Sequence, residues 1–306
     1  MEMPHILGVI YMTVISFGGS IFNGMVIIVL VKNISTITVP NVFILSICTS
    51  GFLACSMAIP LAIWSVTVGK WNDVSCQTHA FFIYLFGMVS MVHMGAIAME
   101  KYLTIVKYTN TAGHFLSLKQ SVIVVVILWV YSIFLSTLPL VGWARYGPEA
   151  ANVTCSLKWD QRSASDLAYF VIMFLGCFLL PVGVMSFSYY RIFKVRRKVS
   201  VSRSNCILNL SDHAKAELKK EINTAIQLLI LIFGYLLAWT PYSIVVILII
   251  SGAPQTASVW LLMSSLFAKA SFMYNPVLYA FISRQFRRKF VRTFCCGISI
   301  NRVGSG

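Results

Sequence analysis

The sequence predicts an all-α membrane protein, built as a bundle of seven transmembrane helices. Its 306 residues are 58% hydrophobic and 11% charged, and the mean hydropathy is +0.82, whereas an average soluble domain carries about 25% charged residues. Seven apolar runs reach the roughly 20 residues that cross a bilayer. Because backbone groups must pair within lipid, each run predicts a helix. The runs lie at about 6–31, 40–68, 77–106, 119–141, 166–193, 223–250 and 257–282.

The connections between these runs are short and polar. Neither an internal repeat nor a separate soluble domain is evident, so residues 1–306 are predicted to form a single domain. The first run is too long for a signal-peptide core and has no basic region before it, which predicts a retained helix. Prolines lie in the last four runs, where membrane helices tolerate them if neighbours satisfy the freed carbonyls; they are Pro139, Pro181, Pro241 and Pro276.

A short amphipathic segment at about 284–294 follows the seventh run. Three phenylalanines recur there at four-residue spacing among arginines and lysines, so the segment is predicted to be a helix that lies on the inner leaflet. Cys295 and Cys296 follow this segment, and cysteines beside a membrane are candidates for palmitoylation. Two unmodified thiols are the alternative.

The basic residues predict the orientation of the bundle. One side of the membrane receives 19 of the 24 lysines and arginines and the other side receives four, which leaves Lys269 inside the seventh run. The positive-inside rule therefore places the N-terminus outside and the tail in the cytoplasm, and we expect a multi-pass protein of the plasma membrane. The net charge of +15 is concentrated on the inner face, where anionic lipid or an acidic partner would meet it. It requires no nucleic acid.

Lys269 is the unusual residue of the seventh run. A charged side chain at the bilayer centre costs about 3 kcal/mol on insertion scales, so it is a functional-site candidate by default. The alternatives are a lysine that snorkels to an interface or one that pairs with a buried acid. Snorkelling is poor here because roughly a dozen residues separate Lys269 from either end of the run.

Two motifs in the sixth and seventh runs are informative in combination, AWTPY at 238–242 and NPVLY at 275–279. With them, the chain resembles the rhodopsin-like G-protein-coupled receptors over almost its whole length. The resemblance implies coupling to a heterotrimeric G protein, with arrestin and a receptor kinase as further partners. The other residues that carry it are Asn23, the pair Cys76 and Cys155, Glu100-Lys101-Tyr102, Trp129, Pro181 and Tyr189.

The resemblance also implies a disulfide between Cys76 and Cys155. Both residues lie on the predicted outer side, where disulfides persist. A bridge between them would tie the loop at about 142–165 across the outer mouth of the bundle. The buried cysteines of the runs are predicted to be packing residues.

Within this family, a lysine six residues before the Asn-Pro of the seventh helix is similar to the retinal attachment site of opsins. Lys269 has this position, so the resemblance implies that it binds retinal, 11-cis or all-trans, through a Schiff base. In a hydrophobic pocket the cationic form of an amine is disfavoured, and the neutral amine is a nucleophile that condenses with an aldehyde. The structural alternatives for Lys269 stay open at this stage.

A protonated Schiff base needs an anion, and the sequence holds nine acidic residues. Four lie at the cytoplasmic helix ends or in the inner loop, and four lie on the N-terminus, the outer loops or the outer helix ends. Only Glu149 is well placed, because it precedes Cys155 by six residues on the loop segment that opsins fold over retinal. Glu149 is therefore the predicted counterion, acting through water or hydroxyls; an exposed loop carboxylate is the alternative.

His79 lies one turn into the third helix, where many vertebrate visual opsins carry a glutamate counterion. A histidine cannot be the anion, but when neutral it can accept or relay a proton. With GPE before the loop cysteine, this difference resembles the non-visual branch of neuropsin, peropsin and the retinal G-protein-coupled receptor. Absorption of visible or near-ultraviolet light stays open, and simple packing is the alternative role for His79.

Five more pocket residues are implied by helical geometry together with the resemblance. Ser265 lies four residues before Lys269, on the same helical face. Trp239 and Tyr242 are similar to the aromatic wall beside the retinal ring. Gly87 is expected to leave room on the third helix, and Phe178 on the fifth is expected to close the ring end. For each of these except Trp239, core packing is the alternative.

The predicted inner face carries the residues that the resemblance assigns to signalling. Glu100 and Lys101 occupy the start of the family's E/D-R-Y motif, and a contact between Lys101 and Glu221 would connect the third helix to the sixth. Lysine replaces the usual arginine and lacks its planar fork of donors, and Gly51 replaces an aspartate of the second helix, which puts the strength of coupling in question. The remaining expected switch residues are Tyr102, Tyr189, Asn275, Pro276 and Tyr279.

Three functions remain open from the sequence. The first is a light-activated receptor in which the sixth helix swings outward and a G protein binds the basic inner face. The second is a retinal photoisomerase with little signalling, which His79 and Lys101 favour. The third is a receptor for a diffusible ligand. No pattern points to a metal, a nucleotide or hydrolytic chemistry, and we predict that the protein is not an enzyme.

Overall fold

The computed structural model describes residues 3–69, 71–111, 115–149, 152–159, 163–200, 212–252 and 257–295. In this part of the chain, seven long helices form a bundle and a short helix follows the seventh. The helices are α1 Met3–Lys32, α2 Val39–Thr67, α3 Asp73–Thr111, α4 Leu118–Thr137, α5 Ala164–Phe174 continuing through Leu175–Leu179 to Leu180–Ser200, α6 Asp212–Ile250, α7 Ala257–Ile282 and α8 Arg284–Cys295.

Six of these helices, α1 to α6, are long and apolar enough to cross a membrane by length and composition. The 26-residue α7 has the length, but its internal Lys269, Asn275 and Pro276 lower its hydropathy. The predicted all-α bundle of a multi-pass membrane protein is confirmed. "Outer" and "inner" below follow the orientation predicted from the basic residues.

The helix ends differ from the predicted runs where charged residues are involved. The sixth helix begins at Asp212 rather than near residue 223, and the fifth runs to Ser200 rather than to about 193. These extensions are rich in charged residues, so they lie beyond what hydropathy detects. The α-helical part of α4 ends at Thr137 instead of near 141, because the chain tightens into a 3-10 turn around Pro139.

Two transmembrane helices, α2 and α5, each contain one π-helical turn. In α2 it spans Ala54–Ala58 and ends two residues before Pro60, and in α5 it spans Leu175–Leu179 and ends two residues before Pro181. Proline removes a backbone donor and clashes with the preceding turn, and a wide turn of this type accommodates the disruption. The turn in α5 lies at the level of the cavity described below.

The central helix α3 packs against α2, α4, α5 and α6, and a hairpin covers its outer end. The hairpin consists of β1 Tyr146–Pro148 and β2 Cys155–Leu157, antiparallel with Pro148 opposite Cys155. Its strands are three residues long, which is too short for a pattern to predict. The predicted disulfide is confirmed: Cys76 of α3 is bonded to Cys155, with Cα atoms 5.4 Å apart.

The predicted amphipathic helix is present as α8. Phe286 is buried against Tyr279 at the end of α7, with ring centroids 5.0 Å apart. Lys289 Nζ, one turn further along α8, donates to the carbonyl of Thr36 at 3.1 Å and so joins α8 to the inner end of the bundle. The helix ends at Cys295; the Cys295 side chain and all of Cys296 lie outside the described residues, so palmitoylation stays a prediction.

Candidate functional site

A cavity of about 390 Å³ lies in the outer half of the bundle, between α3, the hairpin, α5, α6 and α7. This volume is within the range of small-molecule sites, which are mostly apolar with a few polar groups. The lining here is of that kind, with aromatic and methionine side chains around one lysine and one glutamate. Seven of the eight predicted ligand-binding residues line it: Lys269, Glu149, Ser265, Gly87, Phe178, Trp239 and Tyr242.

Lys269 is 3% exposed and projects into this cavity from α7. Its amine donates to the Oγ of Ser265, one helical turn earlier. Among the described residues it has no carboxylate within 4.0 Å. Burial of an unpaired ammonium is costly, so the geometry favours a neutral amine or a ligand that compensates the charge. Neither snorkelling nor a direct ion pair accounts for this residue.

Glu149 follows β1 and is 6% exposed, with its carboxylate in the cavity lining. The loop holds it by backbone and side chain: the Glu149 amide donates to the carbonyl of Thr154 at 2.8 Å, and Thr154 Oγ1 donates to Glu149 Oε2. Within the described part of the chain, Oε1 has no hydrogen-bond partner. The carboxylate is therefore buried with one oxygen open, and it is not the exposed loop residue of the alternative.

Trp239 forms the floor of the cavity, and its indole nitrogen donates to Ser271 Oγ at 3.1 Å. A Cβ placed on Gly87 would lie 2.8 Å from Cη2 of this indole, so α3 needs a glycine here. Below it, Tyr235 stacks on Trp239 with ring centroids 5.6 Å apart and donates its hydroxyl to the Gly87 carbonyl at 2.7 Å. Tyr235 was not predicted from the sequence, although it lies four residues before Trp239 on the same helical face.

An aromatic network forms the outer wall of the cavity. Tyr242 was predicted from the sequence, whereas its partners Tyr84 and Trp159 were not. Trp159 Nε1 donates to the Tyr242 hydroxyl at 3.0 Å, and the Tyr84 hydroxyl lies 3.0 Å from the same oxygen. Tyr84 could have been found from its spacing, because it lies three residues before Gly87 on α3. Trp159 comes from the segment after β2, and no local pattern indicates its direction.

His79 is the one predicted ligand-binding residue outside the cavity lining. It is fully buried, and its Nδ1 lies 2.8 Å from the carbonyl of Ala58, which makes Nδ1 the donor. Its ring lies 5.5 Å from the ring of Trp71. In the described residues, Nε2 has no hydrogen-bond partner. The histidine thus packs between α3 and α2 beside the cavity.

The inner ends of α3 and α6 are joined by an ion pair. Lys101 Nζ lies 2.6 Å from Glu221 Oε2 and 3.5 Å from Glu100 Oε2. Thr104 Oγ1 donates to the other oxygen of Glu100 at 2.8 Å. This is the contact between α3 and α6 that the sequence analysis expected.

Three of the other predicted switch residues are tyrosines that make hydrogen bonds or ring contacts with neighbouring helices. Tyr189 of α5 donates to the carbonyl of Ala225 on α6 at 2.9 Å, and Tyr279 of α7 donates to Asn41 Oδ1 on α2 at 3.1 Å. Tyr102 contacts Phe187 edge-on. Asn275 and Pro276 lie within α7, the asparagine buried.

Gly51 contacts Asn23 in the interior of α1 and α2. The Asn23 amide donates to the carbonyls of Gly19 at 2.8 Å and Phe272 at 2.7 Å, so it is fixed between α1 and α7. A Cβ on Gly51 would lie 2.8 Å from Asn23 Oδ1. An aspartate in place of Gly51 would therefore not fit without displacing Asn23.

The class of protein follows from this fold and from comparison with known sequences. The sequence model of the 7 transmembrane receptor (rhodopsin family) matches residues 22–279, and the chain belongs to this family. Visual pigment-like receptor peropsin of Mus musculus is 27% identical over 289 residues, which cover 94% of this chain and 83% of peropsin. Melanopsin of Rattus norvegicus is 30% identical over 297 residues, covering 94% of this chain and 61% of melanopsin.

Some relatives are considerably longer than this chain, which spans 54% of melanopsin-B of Xenopus laevis and 50% of melanopsin-A of Danio rerio. Among solved structures, the crystal structure of squid rhodopsin matches with a TM-score of 0.85 at 23% identity, over 100% of this chain and 90% of that chain. The predicted resemblance to rhodopsin-like receptors of the non-visual opsin type is confirmed.

Proposed function

We propose that this protein is a light-sensitive receptor that holds retinal on Lys269 and activates a heterotrimeric G protein. The observation that carries the proposal is the buried amine of Lys269, which faces an apolar cavity and has no carboxylate within 4.0 Å in the described residues. The cavity fits such a group, since Gly87 leaves room beside Trp239. Retinal, joined to Lys269 as a Schiff base, would supply light absorption and a change of shape.

The residues of the chain have separate tasks in this proposal. Ser265 accepts a hydrogen bond from the lysine nitrogen and orients it. Glu149 supplies negative charge within the low-dielectric cavity, where charges interact strongly. Trp239 and Tyr235 are residues of α6 that stack at the cavity floor. The Tyr235 hydroxyl also joins α6 to α3 through the Gly87 carbonyl.

Displacement of Trp239 would bias the position of α6, and the Lys101–Glu221 pair opposes outward movement of its inner end. Receptors of this kind shift between two packings of the same helices. The basic inner face would then receive the G protein, and after activation a receptor kinase and arrestin.

The test is an absorption spectrum of the purified protein after incubation with 11-cis retinal, and separately with all-trans retinal, before and after illumination. We expect an absorption band at longer wavelength than that of free retinal, which changes on illumination. The Lys269→Ala variant should have no such band. A receptor for a diffusible ligand would form no pigment with either isomer.

A retinal photoisomerase is the second candidate, favoured by Lys101 in place of the family's arginine. The two functions differ in what light produces. Light-dependent nucleotide exchange by a G protein in membranes that contain the receptor supports signalling. Release of the cis isomer over many cycles without nucleotide exchange would support the isomerase instead.

A further inference from the structure

A second cavity, of about 750 Å³, opens at the inner face of the bundle. It is bordered by the start of α2, the inner half of α6, the end of α7 and α8, and none of the described residues of α3 or α5 lines it. Five cations do: Lys219, Lys220, Arg288, Lys289 and Arg292. Concave surfaces lined by one sign of charge focus the electric field and attract counter-ions.

Among the described residues, a carboxylate pairs with only one of these five cations, Lys220. The sequence has four acids on its inner side, and each already has a lysine: Glu100 and Glu221 with Lys101, Asp212 with Lys215, and Glu217 with Lys220. The segments 201–211 and 296–306 contain no acidic residue. In the described part of the chain, the remaining four lining cations have no carboxylate within 4.0 Å.

The cations lie on two opposing walls. Lys219 and Lys220 belong to α6, while Arg288 and Arg292, one turn apart, belong to α8. Lys289, also on α8, is half-buried and donates only to the Thr36 carbonyl, at 3.1 Å, among the described residues. Burial lowers the pKa of Lys289, as expected for a cation without an anionic partner.

Neutral polar groups continue the lining toward the bundle interior. The side-chain amides of Asn223 and Gln227 lie on successive turns of α6, and the end of the cavity nearest the bundle interior reaches Tyr279. An anion bound here would contact α6 and α8 together. It would thus bridge α6, the helix that moves in the proposed function, to α8, which contacts α1 and α7.

We propose that this cavity binds a compact anion bearing several phosphate groups, such as an inositol polyphosphate, free or as a lipid headgroup. Arginine pairs with phosphate through two parallel hydrogen bonds and lysine binds it as a point charge. The volume lies within the 300–1,000 Å³ of small-molecule sites, and the four lining cations without a carboxylate partner match a multivalent ligand. The lining also contains apolar residues, among them Ile44, Leu228 and Leu231, so an acidic peptide is the competing ligand that the test must separate.

The test measures binding to the full chain without retinal and without light, so its outcome is independent of the proposed function. The receptor is reconstituted in phosphatidylcholine discs, and binding of inositol hexakisphosphate is titrated. A second arm uses discs that contain phosphatidylinositol 4,5-bisphosphate, with phosphatidylserine discs of equal charge as the comparison. Saturable binding in the first arm indicates a free ligand, and binding in the second arm alone indicates a lipid headgroup.

The decisive comparison uses two double variants of exposed cations. Lys219→Gln with Arg288→Gln removes one charge from each wall and is expected to weaken binding about tenfold or more. Arg196→Gln with Arg197→Gln removes the same charge from α5, outside the cavity, and is expected to change binding by about twofold at most. Three results would overturn the proposal. They are equal losses of affinity in both variants, no saturable binding in either arm, and binding of a polyglutamate peptide without binding of inositol hexakisphosphate or phosphatidylinositol 4,5-bisphosphate.

Discussion

Lys101 Nζ lies 2.6 Å from Glu221 Oε2, and this ion pair joins the inner ends of α3 and α6 across 120 residues of sequence. Both residues are buried, and the same lysine lies 3.5 Å from Glu100. A pair of this kind is a poor source of net stability, because desolvation offsets attraction, but loss of one partner is costly. The pair therefore favours one arrangement of the two helices.

We expect Glu221→Gln to raise G-protein nucleotide exchange in darkness. The substitution keeps the size of the side chain and removes the charge, which leaves Lys101 with Glu100 alone and weakens the restraint on α6, at a stability cost of up to about 3 kcal/mol. Exchange assays on membranes and thermal unfolding measure the two effects. Glu217→Gln, at a partly buried position of α6 that pairs with the exposed Lys220, is the control and should change neither; equal dark exchange in wild type and Glu221→Gln would refute the restraint.

Glu149→Gln should move the absorption of the retinal-reconstituted protein toward the near-ultraviolet. Glu149 is the one carboxylate among the described lining residues, so its neutralisation removes the negative charge that favours a positive nitrogen at Lys269. Spectra recorded over a range of pH values measure the change. Asp166→Asn, at the exposed start of α5, is the matched control. An unchanged spectrum in Glu149→Gln would assign the counterion elsewhere.

Tyr235→Phe should lower stability by about 1 kcal/mol, the usual value of one hydrogen bond, and should raise activity in darkness. The hydroxyl joins α6 to α3 through Gly87 at 2.7 Å, and these are the helices that separate in the proposed switch. Tyr274→Phe is a close control, since its hydroxyl donates to Gly234 at 2.7 Å and joins α7 to α6. We expect a similar loss of stability there without added activity. The same activity in both variants would contradict the role of Tyr235.

Gly51→Ala should destabilise the protein by about 1–3 kcal/mol, the usual cost of overpacking. The new methyl group would lie 2.8 Å from Asn23 Oδ1, and two hydrogen bonds hold Asn23 in place. Gly183→Ala provides the comparison, because its added Cβ would lie more than 4 Å from every atom outside its own stretch of helix and alanine favours a helix by up to about 1 kcal/mol. Thermal unfolding in detergent measures both. A neutral Gly51→Ala would mean that Asn23 can move aside.

The transmembrane part of the fold is predictable because lipid restricts the options for the backbone. The seventh helix spans the predicted residues 257–282. The sequence marks both ends, because Gly252 and Pro254 precede the apolar run and Ser283 follows it. The inner part of α6, from Asp212, was not predicted, because outside lipid a helix no longer needs apolar residues. The hairpin was missed because strands of three residues carry no period.

The candidate site was predictable where the resemblance fixed a position on a helix, and less so elsewhere. Lys269, Ser265, Gly87 and Trp239 all line the cavity as expected. Tyr235 was missed because its partner, the Gly87 carbonyl, is 148 residues away in the sequence, and helix packing decides such a contact. His79 lies on the correct helix, but its ring faces α2 through the Ala58 carbonyl.

The most direct test of the account is chemical trapping at Lys269. The protein is incubated with 11-cis retinal, reduced with borohydride, digested and mapped by mass spectrometry, with Lys269→Ala treated in parallel. We predict one retinyl group on the peptide that contains Lys269, and no labelled peptide in the variant. Reduced protein without label at Lys269, or label that persists in Lys269→Ala, would contradict the central claim.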